Sequence, residues 1–333
     1  MFNSRLSSVL RPGIKSKFWE KMLKILVKVV LRGAFVTLTL FLFVSESGFN
    51  YNPAANWNDV LAGVAPWPFI GRQLVPICIH GILMVLPESA SKASGLWDFS
   101  AKGGLALLSL LWLFLFYSSF FIELLARQYT QNSWYSYWCS LFFLFPGLCL
   151  FFAFGYFYDF ATVFCATALL YFISKNKPGH SLAVFSMLSI NRETSFLFIP
   201  LFLCLEVKNY KTALCIATII YSLTRCLIWV YYFNNHSIEP VPSLGAHLTE
   251  FYANLFDYFE EVFFLISVTL LVYFNWPKIP HPLRTNVIIV YPLSIAYVLK
   301  GWPHELRVFF EVYPALFLIL AWRLHSLATE NTG

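Results

Sequence analysis

Residues 104–122, GLALLSLLWLFLFYSSFFI, carry no charged side chain, and runs of this kind recur along nearly the whole chain. A helix needs about twenty apolar residues to cross the ~30 Å hydrocarbon core of a bilayer, so such runs read as membrane segments. They fall at about 26–45, 103–125, 138–154, 159–174, 179–190, 194–206, 211–232, 260–275, 284–299 and 308–322. Composition agrees: 59% of the residues are hydrophobic and 12% charged, about half the charge of an ordinary soluble domain. No long polar stretch remains that could fold separately. The expectation is a single integral membrane domain over residues 1–333, an all-α polytopic transmembrane helix bundle of about ten segments, some short or re-entrant.

Charge orients this bundle. Lys17, Lys21, Lys24, Lys28 and Arg32 recur at helical spacing within the basic N-terminal segment 1–32, which reads as an interfacial helix beside anionic headgroups that runs into the first span. The net charge of +6 follows the same rule, and no nucleic-acid partner is needed to explain it. With the N-terminus inside, fifteen basic residues fall on the cytoplasmic side and six outside, which puts both termini in the cytoplasm. The membrane is a bacterial inner membrane or an endoplasmic reticulum. Thirteen of the seventeen acidic residues fall outside, and because acids do little to set topology, this suggests a functional outer surface. Two long outer loops, 46–102 and 233–259, belong to that surface. The run 73–86 within the first is too short to span and reads as a helix parallel to the membrane.

Polar residues interrupt the apolar pattern at four places on the outer side. Asn191, Arg192, Glu193 and Thr194 split SLAVFSMLSINRETSFLFIPLFLCL into two short arms, which predicts a helical hairpin with an ionisable tip. Such groups persist at membrane depth only against protein or water. Asp159, beside Tyr156 and Tyr158, begins a span and suits a helix cap or a site. Glu305, Arg307 and Glu311 open the last span, with Arg307 and Glu311 one turn apart. Arg72 precedes the surface helix, and snorkelling to headgroups explains it without chemistry. Together these arginines suit phosphate, and the carboxylates suit a general base or a divalent cation.

Other chemistries find no motif. The chain has no GxxxxGK[ST], GxGxxG, HExxH or GxSxG pattern, and its histidines are scattered. The seven cysteines lie mostly in apolar runs without CxxC spacing and read as small buried hydrophobes, so no metal site is expected from them.

The order of a first span, the stretch Phe69-Ile70-Gly71-Arg72-Gln73-Leu74-Val75-Pro76, Tyr158-Asp159, Asn191-Arg192-Glu193-Thr194, and Glu305-Leu306-Arg307 ending in Pro314 resembles the C-type superfamily of integral-membrane glycosyltransferases. The resemblance covers most of residues 30–322. It implies about ten helices, a large first outer loop carrying a membrane-parallel helix, and inverting transfer of a sugar from a polyprenyl-phosphate donor. It also implies a catalytic acid early in the first outer loop, which Glu46 or Asp59 would supply, with Asp159 as a further candidate. Arg192 and Arg307 would hold the lipid phosphate, while Glu193, Glu305 and Asp159 would orient them or bind a divalent ion. Arg72, Asn191 and Glu311 complete the expected substrate-binding set, with membrane lipids and a lipid-linked sugar as partners. Two other readings stay open: a transporter or flippase for a lipid-linked or anionic solute, and a non-catalytic membrane subunit.

Overall fold

The computed structural model describes residues 12–46, 57–65, 71–85, 104–144, 156–206, 210–233, 259–300 and 306–330, together with positions 249 and 253. Among the described residues every regular element is helical. Four helices are long and apolar enough to cross a membrane by length and composition: Trp19–Ser45, Gly104–Thr130, Phe157–Ser174 and Tyr210–Tyr231. The first of these belongs to α1 (Pro12–Glu46), where the basic N-terminal stretch and the first apolar run form one continuous helix of 35 residues. The two expected outer loops lie largely outside the described residues; of the first, α2 (Trp57–Ala62) and α3 (Leu74–Val85) are described.

The hub of the bundle is α6 (Phe157–Ser174), which packs most extensively against α4 (Gly104–Thr130) and α7 (Pro178–Asn191). Its sequence, FYDFATVFCATALLYFIS, has no polar stripe, and a helix apolar all round belongs in an interior. Ala161, Cys165, Ala166 and Ala168 are fully buried, and such small side chains let neighbouring backbones approach closely. Larger rings fill the remaining space, as where Phe43 of α1 meets Phe160 edge-on at 4.7 Å. Boundaries elsewhere moved for local reasons. α5 (Ser133–Phe142) starts five residues before the expected 138 because the Asn132 side chain caps it, accepting from the Trp134 and Tyr135 amides at 3.1 and 3.0 Å. The expected segment at 284–299 is two helices, α10 (His281–Val287) and α11 (Val290–Lys300), either side of a turn at Ile288 and Ile289.

Residues 178–206 form the predicted hairpin. α7 rises for 14 residues, or ~21 Å, and the chain breaks at Arg192, whose backbone is extended (φ −136°, ψ 132°). It returns as a 3-10 helix, Glu193–Cys204, whose 12 residues cover ~24 Å. Three residues per turn align Ser195, Phe198, Leu201 and Cys204 on one face, and all four are buried. Arms of near-equal length bring the feet together: the Glu206 amide donates to the Asn176 side-chain oxygen at 2.8 Å. The tip therefore stops short of a full crossing. α8 (Tyr210–Tyr231) then climbs back past the tip, and α9 (Phe259–Asn275), α10, α11, a short 3-10 turn (Leu306–Glu311) and α12 (Tyr313–Glu330) complete the described chain.

A separate ion pair ties α1 to this frame. Arg32, 4% exposed, binds Glu123 of α4 and sits 5.6–5.7 Å from the rings of Phe116, Phe120 and Tyr137. Lys28 supports the same carboxylate at 3.6 Å. Breaking a buried pair from one side leaves an uncompensated charge, so Arg32→Met should cost about 3–5 kcal/mol of stability. Adding Glu123→Leu should recover most of that loss, because half-exposed Lys28 can turn toward water. Unfolding equilibria of the single and double variants in bicelles measure both.

Candidate functional site

The hairpin tip gathers six ionisable side chains from five separate parts of the chain. Arg192 lies deepest, 6% exposed, and it binds Asp159 of α6, which is 0% exposed. Its Nε donates to the Thr162 hydroxyl at 3.1 Å and lies 3.8 Å from Glu311, 1% exposed. One guanidinium between two buried carboxylates is a compact core, and its charges balance only across all six ionisable side chains of the tip. Asp159 has a second task, because its other oxygen accepts from the Tyr156 amide at 2.9 Å and caps α6. Cap and ion-pair partner are thus one residue.

Asn191 locks the same junction. Its side-chain amide donates to the Tyr158 carbonyl at 3.0 Å and to Thr162 at 2.9 Å. Thr194, just past the break, donates its hydroxyl to Glu311. Glu311 therefore turns inward to the tip. Leu306–Glu311 is a 3-10 turn, in which residues three apart, not four, share a face, so the i,i+4 spacing of Arg307 and Glu311 does not place the two on one face. The Arg307 side chain and all of Glu305 lie outside the described residues, and so does the side chain of Glu46, the last residue of α1.

Arg72 reaches the cluster from the segment before α3 and does not snorkel away. It is 7% exposed, stacks over the Tyr158 ring at 4.4 Å, and lies 3.4 Å from Glu193. Tyr158 in turn stacks on Tyr156 at 5.2 Å. The backbone helps: the Gln73 amide donates to the Ile190 carbonyl at 3.2 Å, docking this segment against the end of α7.

Two residues form the outer edge. Glu193 keeps 39% of its side chain exposed, and its carbonyl accepts from Tyr221 of α8 at 2.9 Å. Arg225, one turn beyond Tyr221, donates to the Gly71 carbonyl at 3.1 Å, while its Nε and Nη2 have no acceptor among the described residues. Arg225 falls within the apolar run 211–232, and its spacing from Tyr221 is the signal the sequence offers, since residues four apart share a helix face. Three guanidiniums and three carboxylates thus meet at one level of the bundle. Asp59 is not among them. It is exposed on α2, and Gly63 just after that helix lies by the Tyr232 ring, at 3.7 Å from the position a Cβ would take. Tyr232 is two turns, ~10 Å, beyond Arg225 along the α8 direction. Each of the three cluster acids faces a guanidinium, and among the described residues no three metal-binding side chains gather as for an ion.

No known family model, curated protein or solved structure matches the chain. The site's own bonding makes a sharp prediction. Thr162 accepts from both Asn191 and Arg192, so the near-isosteric Thr162→Val takes one acceptor from two buried donors and should cost about 1–3 kcal/mol. Thr167 is equally buried but bonds only its own helix, at the Val163 carbonyl, so Thr167→Val should cost at most about 1 kcal/mol. Thermal unfolding of both variants in one detergent checks the contrast.

Proposed function

We propose that the chain is a glycosyltransferase-like enzyme of the membrane, transferring a sugar from a polyprenyl-phosphate donor at the outer or lumenal face. The observation that carries this reading is Arg225, whose Nε and Nη2 lie buried at the edge of the tip cluster without an acceptor among the described residues. A phosphate oxygen is the acceptor such a fork suits best. The other two guanidiniums face acids of the protein, so Arg192, between Asp159 and Glu311, positions the hairpin, while Arg72 and Glu193 shape the edge.

In this reading the basic hairpin feet at Lys175 and Lys177 face the cytoplasm, both termini lie there, and the tip cluster sits in the outer half of the bilayer. The lipid phosphate enters sideways along α8, whose Leu223, Leu227 and Val230 are exposed apolar residues. Asp59, or Glu46, takes the proton from the acceptor hydroxyl; that oxygen attacks the anomeric carbon with inversion, and the polyprenyl phosphate leaves with the bonding pair. The extra negative charge on the leaving phosphate then meets Arg225. A non-catalytic membrane subunit is the second reading, favoured by the pairing of Arg192 with two carboxylates of the protein itself.

Transfer of radiolabelled sugar from a polyprenyl-phosphate donor in proteoliposomes separates the two. Asp59→Asn should lower turnover by about 10²–10⁴-fold if it is the base, with thermal stability unchanged. Arg225→Gln should weaken donor binding by roughly tenfold or more. Full activity in both Asp59→Asn and Glu46→Gln removes the assignment of the base, and absence of transfer by the wild type with any donor favours the subunit.

A further inference from the structure

At the opposite end of the bundle, level with the hairpin feet, a cavity of about 300 Å³ opens between the ends of α4 and α6, lined by Leu124, Arg127, Gln128, Tyr171 and Lys175. We propose that this cavity binds a phosphate group, carried either by an anionic phospholipid headgroup or by a soluble phosphate. No carboxylate lines it. Arg127 and Lys175 are exposed cations with no ion-pair partner among the described residues, unlike Arg72 and Arg192 of the tip. The Ser174 hydroxyl donates to the Gln128 side-chain oxygen at 3.3 Å, which leaves the amide nitrogen of Gln128 to donate elsewhere. The polar groups offered to the cavity are therefore two cations, an amide donor and the Tyr171 phenol, a set that selects an anion with several acceptor oxygens.

Cations at helix C-termini have a simpler use, since both positions face the negative end of a helix dipole. That accounts for one cation on each helix. It does not account for two converging on one cavity without an acid between them. The cavity also has an apolar wall: Leu124 lies beside Tyr171, whose ring contacts Phe121 at 5.2 Å and Phe172 at 5.3 Å. An acyl chain would lie along those rings with its phosphate between Arg127 and Lys175. This site is independent of the proposed transferase chemistry, because none of its residues touches the tip cluster.

Native mass spectrometry of the full-length protein, titrated with phosphatidylglycerol or phosphatidylcholine, reads the site directly. We expect one phosphatidylglycerol to be retained preferentially, with affinity falling about fivefold in Arg127→Gln or Lys175→Gln and about thirtyfold in the double variant. Lys278→Gln removes an exposed cation elsewhere and should leave the affinity unchanged. Inorganic phosphate at millimolar concentration forms the second arm: displacement of the lipid assigns the site to soluble phosphate, and retention assigns it to the headgroup. Equal binding of the two lipids, an undiminished affinity in the double variant, or an equal loss in Lys278→Gln overturns the proposal.

Discussion

An arginine cannot stay charged among apolar helices unless the protein supplies its counter-charge, and the architecture around Arg192 answers that demand. Asp159 comes from the first turn of α6, Glu311 from the turn before α12, and Thr162 from one turn deeper in α6. Three distant stretches of chain must be in register before the guanidinium is satisfied. The hairpin, α6 and the entry to α12 are thus fixed relative to one another by a requirement of charge as much as by packing. Apolar contact alone would tolerate sliding of one helix past another; a buried forked donor between two carboxylates would not.

The same logic sorts the cluster into a floor and an edge. Arg192, Asp159, Glu311 and Asn191 are buried and bonded within the protein, which makes them a rigid base. Glu193 is partly exposed, and Arg225 holds two buried donors that no acceptor among the described residues takes up. A preorganised floor of this kind keeps the edge groups from collapsing onto each other. The Arg32–Glu123 pair does comparable work for α1, held by aromatic rings and by a hydrogen bond from Arg32 to the Ser140 hydroxyl at 3.4 Å.

Much of this is legible in the sequence. The hairpin followed from arithmetic on SLAVFSMLSINRETSFLFIP: a basic stop at Lys175 and Lys177, Pro178, then a run too short to cross before four polar residues. Asp159 was legible as a cap because it sits in the first turn of an apolar run. What the sequence did not show is which charges meet. The spacing of Glu311 from Arg307 fits one face of an α-helix, but the segment is a 3-10 turn, and Glu311 meets Arg192 and Thr194. Arg225 was passed over because α8 is apolar on most faces, and periodicity does not say which neighbour a lone charge meets. The 3-10 arm from Glu193 to Cys204 was equally hidden: its composition is ordinary for an α-helix except for Pro200.

The most direct measurement is a double-mutant cycle between Arg192→Gln and Asp159→Asn, read as unfolding free energies in bicelles. If the guanidinium is held by this carboxylate within the bundle, the two substitutions are strongly non-additive, with a coupling energy of about 2 kcal/mol or more. Additivity to within about 0.5 kcal/mol would mean that the two groups do not depend on each other, and the hairpin tip would have to be held in place by something else.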